Sequence, residues 1–173
     1  GIKCDIYLPA STSPGKIKQI SAYGANVVKI PGTRDDVSQA IAQAAQSKYY
    51  ASHVYNPLFF EGTKSFAYEL QAQIGIPDYV VIPAGNGTML LGAYKGFKEL
   101  GKLPKIIAVQ SANCAPVYNS FHKLPATENK PTVAEGIAVG TPMRIAEMVA
   151  AVRESGGDIV TVDDDSVTEM QHE

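Results

Sequence analysis

Gly85-Asn86-Gly87-Thr88 is the stretch whose residue types and spacing could do chemistry. It follows an apolar run, Tyr79 to Pro83. It precedes Leu90, Leu91, Tyr94, Phe97 and Leu100, a helical spacing with Lys95, Lys98 and Glu99 on the outer face. A turn without large side chains at a helix N-terminus presents free backbone N–H groups and the positive end of the helix dipole, which together favour an anion. Gly85, Asn86, Gly87 and Thr88 would each give a backbone N–H to a phosphate, with the Asn86 amide and Thr88 hydroxyl as further donors. On this reading Gly87→Val abolishes anion binding and leaves the fold largely intact. Two glycines in such a turn also serve positive φ angles or close packing, so residue types alone leave both explanations open. A nucleotide P-loop requires Gly-Lys-Ser/Thr, whereas Gly87 is followed by Thr88-Met89. A dinucleotide fingerprint requires a third glycine where Leu90 stands, and an acidic residue where the next strand ends in Gln110-Ser111.

Other polar residues carry weaker signals. His53, His122 and His172 are scattered, and their spacing supports neither a metal triad nor a histidine-activated nucleophile. Asp163-Asp164-Asp165 precede a helix and read as capping and dipole stabilisation rather than a divalent-cation site. Cys4 and Cys114 lack metal-ligand spacing and the density of a disulfide scaffold, so they read as buried thiols. Lys16 and Lys64 read as solvated. Ser111 and Asn113 end a strand at the edge where α/β proteins bind ligands, and Asn56 falls near the phosphate or the crossover between two domains. Glu135-Gly136 follows a short stretch read as a strand, where a solvated acid beside a turn glycine is a sufficient explanation.

The elements that must position these residues alternate along the chain. Ile2, Cys4, Ile6 and Leu8 alternate with polar residues as in a strand; Ser13-Pro14 opens a helix to Gly24, and Asn26 to Ile30 is a second strand. Thr33 with Asp36 resembles a capping pair for an alanine-rich helix to about Ser47, ahead of a third strand near Tyr49 to His53. Pro57 to Gly75 reads as one longer helix. Tyr79 to Pro83 has the β-branched, apolar character of a strand buried on both faces. A strand at Lys105 to Gln110 follows, then a helix or turn from Val117 to Phe121 and a polar loop from His122 to Thr132. Pro142 starts a helix that buries Ile145, Met148, Val149 and Val152. Asp158 to Val162 is a strand, and Ser166 with Glu169 forms a capping box for a final helix. The alternation predicts an α/β protein with parallel sheets and flanking helices, divided into residues 1–53 and 54–173.

Composition fits a small-molecule partner. The 173 residues are 45% hydrophobic and 18% charged, with a formal net charge of −2, so no basic face suggests nucleic acid and no apolar run suggests a membrane span. Cytoplasmic localisation is the default for a chain that opens without a signal peptide.

Pro83-Ala84-Gly85-Asn86-Gly87-Thr88-Met89-Leu90-Leu91-Gly92, followed by Tyr94-Lys95-Gly96-Phe97-Lys98, resembles the phosphate loop and following helix of the fold-type II pyridoxal-phosphate enzymes. Supporting stretches are Asn56-Pro57, Glu61-Gly62-Thr63-Lys64-Ser65, Val109-Gln110-Ser111, and Ala134 to Ala138 with Gly140 and Pro142. Within the family the likeness is narrowest to the threonine synthases. The resemblance implies a tryptophan-synthase-β-like fold, pyridoxal 5'-phosphate as cofactor, an amino-acid substrate and a homo-oligomer. It implies that residues 1–53 belong to the small domain and 54–173 to the larger, phosphate-binding one, and that Glu135 and Gly136 face the cofactor ring. It implies further that the lysine taking the cofactor aldehyde lies upstream of Gly1 and the pyridine-nitrogen contact beyond Glu173. The chain therefore reads as an internal piece with no catalytic residue of its own, inactive alone. The activity implied for the parent is conversion of O-phosphohomoserine to threonine; a dehydratase, a β-replacing synthase and a non-catalytic ligand-binding module are the alternatives.

Overall fold

Five short strands, four of five residues and one of seven, build two separate parallel sheets among the described residues. The computed structural model describes residues 2–32 and 34–171, without the side chains of Arg34 and Asp35. The expected Thr33 cap and His172 lie outside the described residues. The chain divides into two compact units, Gly1–Ala51 and Ser52–Glu173.

In the first unit, β1 (Asp5–Pro9) pairs in parallel with β2 (Asn26–Ile30), in register Asp5 with Asn26 through Pro9 with Ile30. The crossover is α1 (Pro14–Ala22), with α2 (Arg34–Ala44) following β2. The Asn26 amide donates to Asp5 (2.9 Å), and Lys48 returns to the same carboxylate to form an ion pair. Among the described hydrophobic residues of this unit, Leu8 and Val37 are buried. Ser13 precedes α1, but its side chain makes no capping bond; Pro14 alone marks the start. Cys4 is exposed, which corrects the expectation of a buried thiol. The strand expected at Tyr49 to His53 is irregular chain. Its aromatic and small residues have strand composition, but the pair β1–β2 gains no third member among the described residues.

In the second unit, β3 (Tyr79–Pro83), β4 (Lys105–Ser111) and β5 (Asp158–Val162) form a parallel sheet in the order β3-β4-β5. Val80, Ile82, Ile106, Ala108 and Ile159 take one face of it. They join Leu90, Ala93 and Phe97 of α5 (Thr88–Glu99) and Met148, Val149 and Val152 of α7 (Ile145–Glu154) in one core. β3 is not buried on both faces as its composition suggested: Tyr79 and Val81 are 56% and 65% exposed, because β3 lies at the sheet edge and alternate residues face away from the core.

The long helix expected from Pro57 is two helices, α3 (Leu58–Thr63) and α4 (Ser65–Ile74), broken at Lys64. Both pack on α5, which is thereby covered by the sheet on one side and by helices on the other. Close approach is required there: a Cβ on Gly92 would overlap Thr63, and one on Gly96 would sit 2.8 Å from the Ala67 Cβ. Helix α6 (Pro116–His122) follows β4, and α7 begins at Ile145, three residues after the expected Pro142. Helix α8 (Asp164–Gln171) is capped by Asp163, whose carboxylate accepts the Ser166 N–H at 2.7 Å; Ser166 itself lies inside the first turn and is not the cap.

Candidate functional site

The turn between β3 and α5 is shaped by contacts on three sides. Ala84 donates its N–H to Val109 O (2.8 Å), extending the β3–β4 pairing by one residue, and Leu91 donates to Gly87 O (2.9 Å) to begin α5. Between these bonds the N–H groups of Gly85, Asn86, Gly87 and Thr88 meet no backbone acceptor among the described residues. Gly87 has φ +82° and no room for a side chain, since a Cβ there would overlap Met148, itself fully buried. Gly87→Val therefore damages the core, correcting the expectation that this change spares the fold. A Cβ on Gly85 would lie 3.3 Å from Ile137 Cα and 3.5 Å from the Gly136 carbonyl. Its nearest neighbour would be the Val139 side chain at 3.2 Å, so the segment from Gly136 to Val139 closes over the position that a side chain at Gly85 would take.

Electrostatics at the turn favour an anion. Helix α5 has twelve residues and no acidic residue in its first turn. The Thr88 hydroxyl oxygen is buried and has no hydrogen-bond partner among the described residues. A buried hydroxyl without a partner costs free energy, on the order of 1–3 kcal/mol, unless something supplies one. The unpartnered Thr88 hydroxyl and the N–H groups without backbone acceptors fit a phosphate in the turn.

Three supports hold this geometry, and sequence reading found none of their roles. Gln110 is fully buried; its Nε2 donates to the Ala84 carbonyl (2.9 Å) and its Oε1 accepts the N–H groups of Val117 (2.9 Å) and Tyr118 (3.1 Å). The Thr63 hydroxyl donates to the Thr88 carbonyl (3.1 Å). Asp164 accepts from the Thr132 hydroxyl, the Val133 N–H (3.2 Å) and the Asn113 amide (3.3 Å), while Ser111 donates to Thr132 (2.8 Å). These bonds fix the segment leading to Glu135. The signal for Gln110 was its place on the Ile106, Ala108, Gln110 face of β4, an amide in line with core residues.

Glu135 and Gly136 are exposed and form a 3-10 turn, Glu135–Ile137, with irregular chain before it instead of the expected strand. Asn56 heads α3, accepting the Leu58 N–H at 3.0 Å. Lys64 is not solvated: its side chain is 14% exposed and paired with Glu61 and with Glu99 (2.9 Å). The Tyr68 hydroxyl and Lys64 hold the Glu99 carboxyl below its usual range. Burial pushes the Cys114 thiol up, which disfavours the reactive thiolate. His53 meets Phe59 edge-to-face, and His122 meets the Ile159 carbonyl. No cluster of potential metal ligands occurs among the described residues, and no helix among them is long and apolar enough to cross a membrane. A groove of about 280 Å³ beside α6, lined by Asn119, Thr127 and Asn129 among others, includes no residue of the Gly85–Thr88 turn.

Residues 1–173 match the family described as pyridoxal-phosphate dependent enzyme. The chain belongs to that family. It is 32% identical to the threonine synthase of Methanocaldococcus jannaschii over 185 aligned positions, which cover 99% of this chain and 46% of that protein. It is 33% identical to threonine synthase 2, chloroplastic, of Arabidopsis thaliana, covering 91% of this chain and 33% of that one. The fold is similar to the processed form of threonine deaminase isoform 2 from Solanum lycopersicum, with TM-score 0.78 and 25% identity over 93% of this chain and 45% of that one. Maize serine racemase has the same fold, with TM-score 0.74 at 18% identity over 97% and 52%. The α/β fold is thus that of fold-type II enzymes, whose cofactor is pyridoxal 5'-phosphate. The chain spans about half the length or less of these relatives.

Proposed function

We propose that Gly85, Asn86, Gly87 and Thr88 bind the phosphate of pyridoxal 5'-phosphate, with Glu135 and Gly136 beside the ring. On this reading the whole protein converts O-phosphohomoserine to threonine and phosphate. The observation that carries the site is the buried, unpartnered Thr88 hydroxyl at the head of α5, next to N–H groups without acceptors. When bound, the cofactor supplies the electron sink for a carbanion beside the substrate nitrogen. This chain's residues would anchor it: four N–H groups and the Thr88 hydroxyl would donate hydrogen bonds to the phosphate, and the missing side chain at Gly85 leaves room for Ile137 and Val139, at the end of the Glu135–Ile137 turn, beside the anchor. Residues 1–53 contribute to the smaller domain and 54–173 to the larger one.

The lysines of α5 and of the α3–α4 break have other partners: Lys64 with Glu61 and Glu99, Lys95 with Glu61, Lys98 with Glu154. The covalent lysine of the reaction is none of these. Borohydride reduction of the cofactor-loaded chain therefore leaves Lys64, Lys95 and Lys98 unmodified, and a pyridoxyl group on any of them by mass spectrometry contradicts the assignment.

The similarity to threonine deaminase, at TM-score 0.78, supports dehydration as a second reading. Supplying the whole protein with O-phosphohomoserine, threonine and serine separates the two. Phosphate release with threonine formation supports the synthase; ammonia and a 2-oxo acid from threonine or serine, without phosphate release, supports the dehydratase.

A further inference from the structure

We propose that Gln110 is a positioning residue for the anion turn, holding the Ala84 carbonyl from behind so that the Gly85 N–H is aimed at the bound anion. The inference rests on the reading of Gly85–Thr88 as a phosphate site. Gln110 lies on the core face of β4 with Ile106 and Ala108 and is fully buried. A hydrocarbon would fill that volume without demanding partners, whereas a buried amide must be hydrogen-bonded. Its partners are not local. The Nε2 group reaches across to Ala84 O, the last carbonyl before the turn, at 2.9 Å. The Oε1 atom takes the first free N–H groups of α6, those of Val117 and Tyr118.

The consequence follows from peptide geometry. Ala84 C=O and Gly85 N–H belong to one planar trans unit, so they point in opposite directions. Fixing the carbonyl against β4 fixes the N–H away from it. The Ala84 N–H is also held by β4, through Val109 O at 2.8 Å, so both peptide planes around Ala84 are set by one strand. An N–H held in place before the anion arrives binds it without the cost of ordering the turn.

Two substitutions separate positioning from core filling. Gln110→Glu keeps an acceptor for Val117 and Tyr118, but its carboxylate has no proton to give Ala84; Gln110→Met fills the space and makes neither set of bonds. The probe is sodium sulfate, followed through the amide resonances of Gly85 to Thr88, with the residual dipolar coupling of the Gly85 N–H measured without anion and the denaturation midpoint measured in parallel. Both variants are expected to change the Gly85 coupling and to weaken sulfate binding about tenfold, the weight of one lost hydrogen bond to a charged group. Weakening in the Met variant as well rules out charge repulsion as its cause, and this variant carries the test if the Glu variant does not fold. A folded variant with a lowered midpoint but unchanged sulfate affinity and Gly85 coupling overturns the proposal, because Gln110 then only stabilises the core. If the parent protein shows no sulfate-dependent shift at 85 to 88, the phosphate reading itself fails and the positioning role falls with it.

Discussion

The two units of this chain use the same β-α-β pattern and bury very different amounts of it. In Gly1–Ala51 a two-stranded parallel pair is secured by Leu8, Val37 and the polar link Asp5–Asn26–Lys48; in Ser52–Glu173 a three-stranded sheet and its helices enclose a contiguous core from Phe60 to Ile159. A two-stranded pair has marginal stability of its own, because little apolar area leaves water. The candidate site stands entirely in the second unit, where packing fixes the backbone to the accuracy that a cradle of N–H groups requires.

The largest expected effects lie in the second unit. Phe97→Ala removes a fully buried ring and is expected to cost about 3–5 kcal/mol in chemical denaturation. Gly87→Val, with a positive φ and Met148 behind it, is expected to cost about 3 kcal/mol. Leu8→Ala in the first unit is expected to cost less, about 2 kcal/mol, because its thin surroundings can collapse into the space. It should do so without speeding amide exchange in β3 or β4; exchange in β1 and β2 should already be the faster in the parent protein. Equal protection in both sheets would erase the comparison.

Gly24→Ala sharpens it. Gly24 has φ +81° like Gly87, but nothing lies within 4 Å of the position its Cβ would take, so only backbone strain is at stake, about 1 kcal/mol. The smallest effect is electrostatic. Lys48, then Asn26, hold the Asp5 carboxyl below its ordinary 3.8, so the pair stabilises β1–β2 above that pH, and its contribution is lost as pH falls through the lower folded value. Lys48→Ala should return the Asp5 titration, followed by carboxyl carbon shifts, toward 3.8. An unmoved titration would show that the ion pair contributes nothing.

Periodicity was legible where burial is one-sided and continuous. Leu90, Leu91 and Phe97 announced α5, and the alternation of α- and β-type stretches announced parallel strands. It failed where composition and environment part. Tyr79 and Val81 have the residue types of an interior strand yet lie on the open face of an edge strand. The apolar stripe from Leu58 to Ile74 gave no sign of the break at Lys64. At the site, the glycines were visible but their purposes were not. Gly87 answers to Met148, Gly92 to Thr63, and Gly85 to Ile137 and Val139, all partners distant in sequence. The roles of Gln110 and Asp164 belong to no motif; they come from carbonyls and N–H groups that only folding brings within reach.

Thr88→Val tests the central claim most directly, because it sets stability against binding. The hydroxyl is buried and unpaired, so replacing it with a methyl should leave the denaturation midpoint of the anion-free protein unchanged or raised. If Thr88 completes a phosphate cradle, affinity for pyridoxal 5'-phosphate and for inorganic phosphate should fall about tenfold in the same variant. A lower midpoint with unchanged affinity for both ligands would contradict the account, placing Thr88 among the supports of the fold and the anion elsewhere.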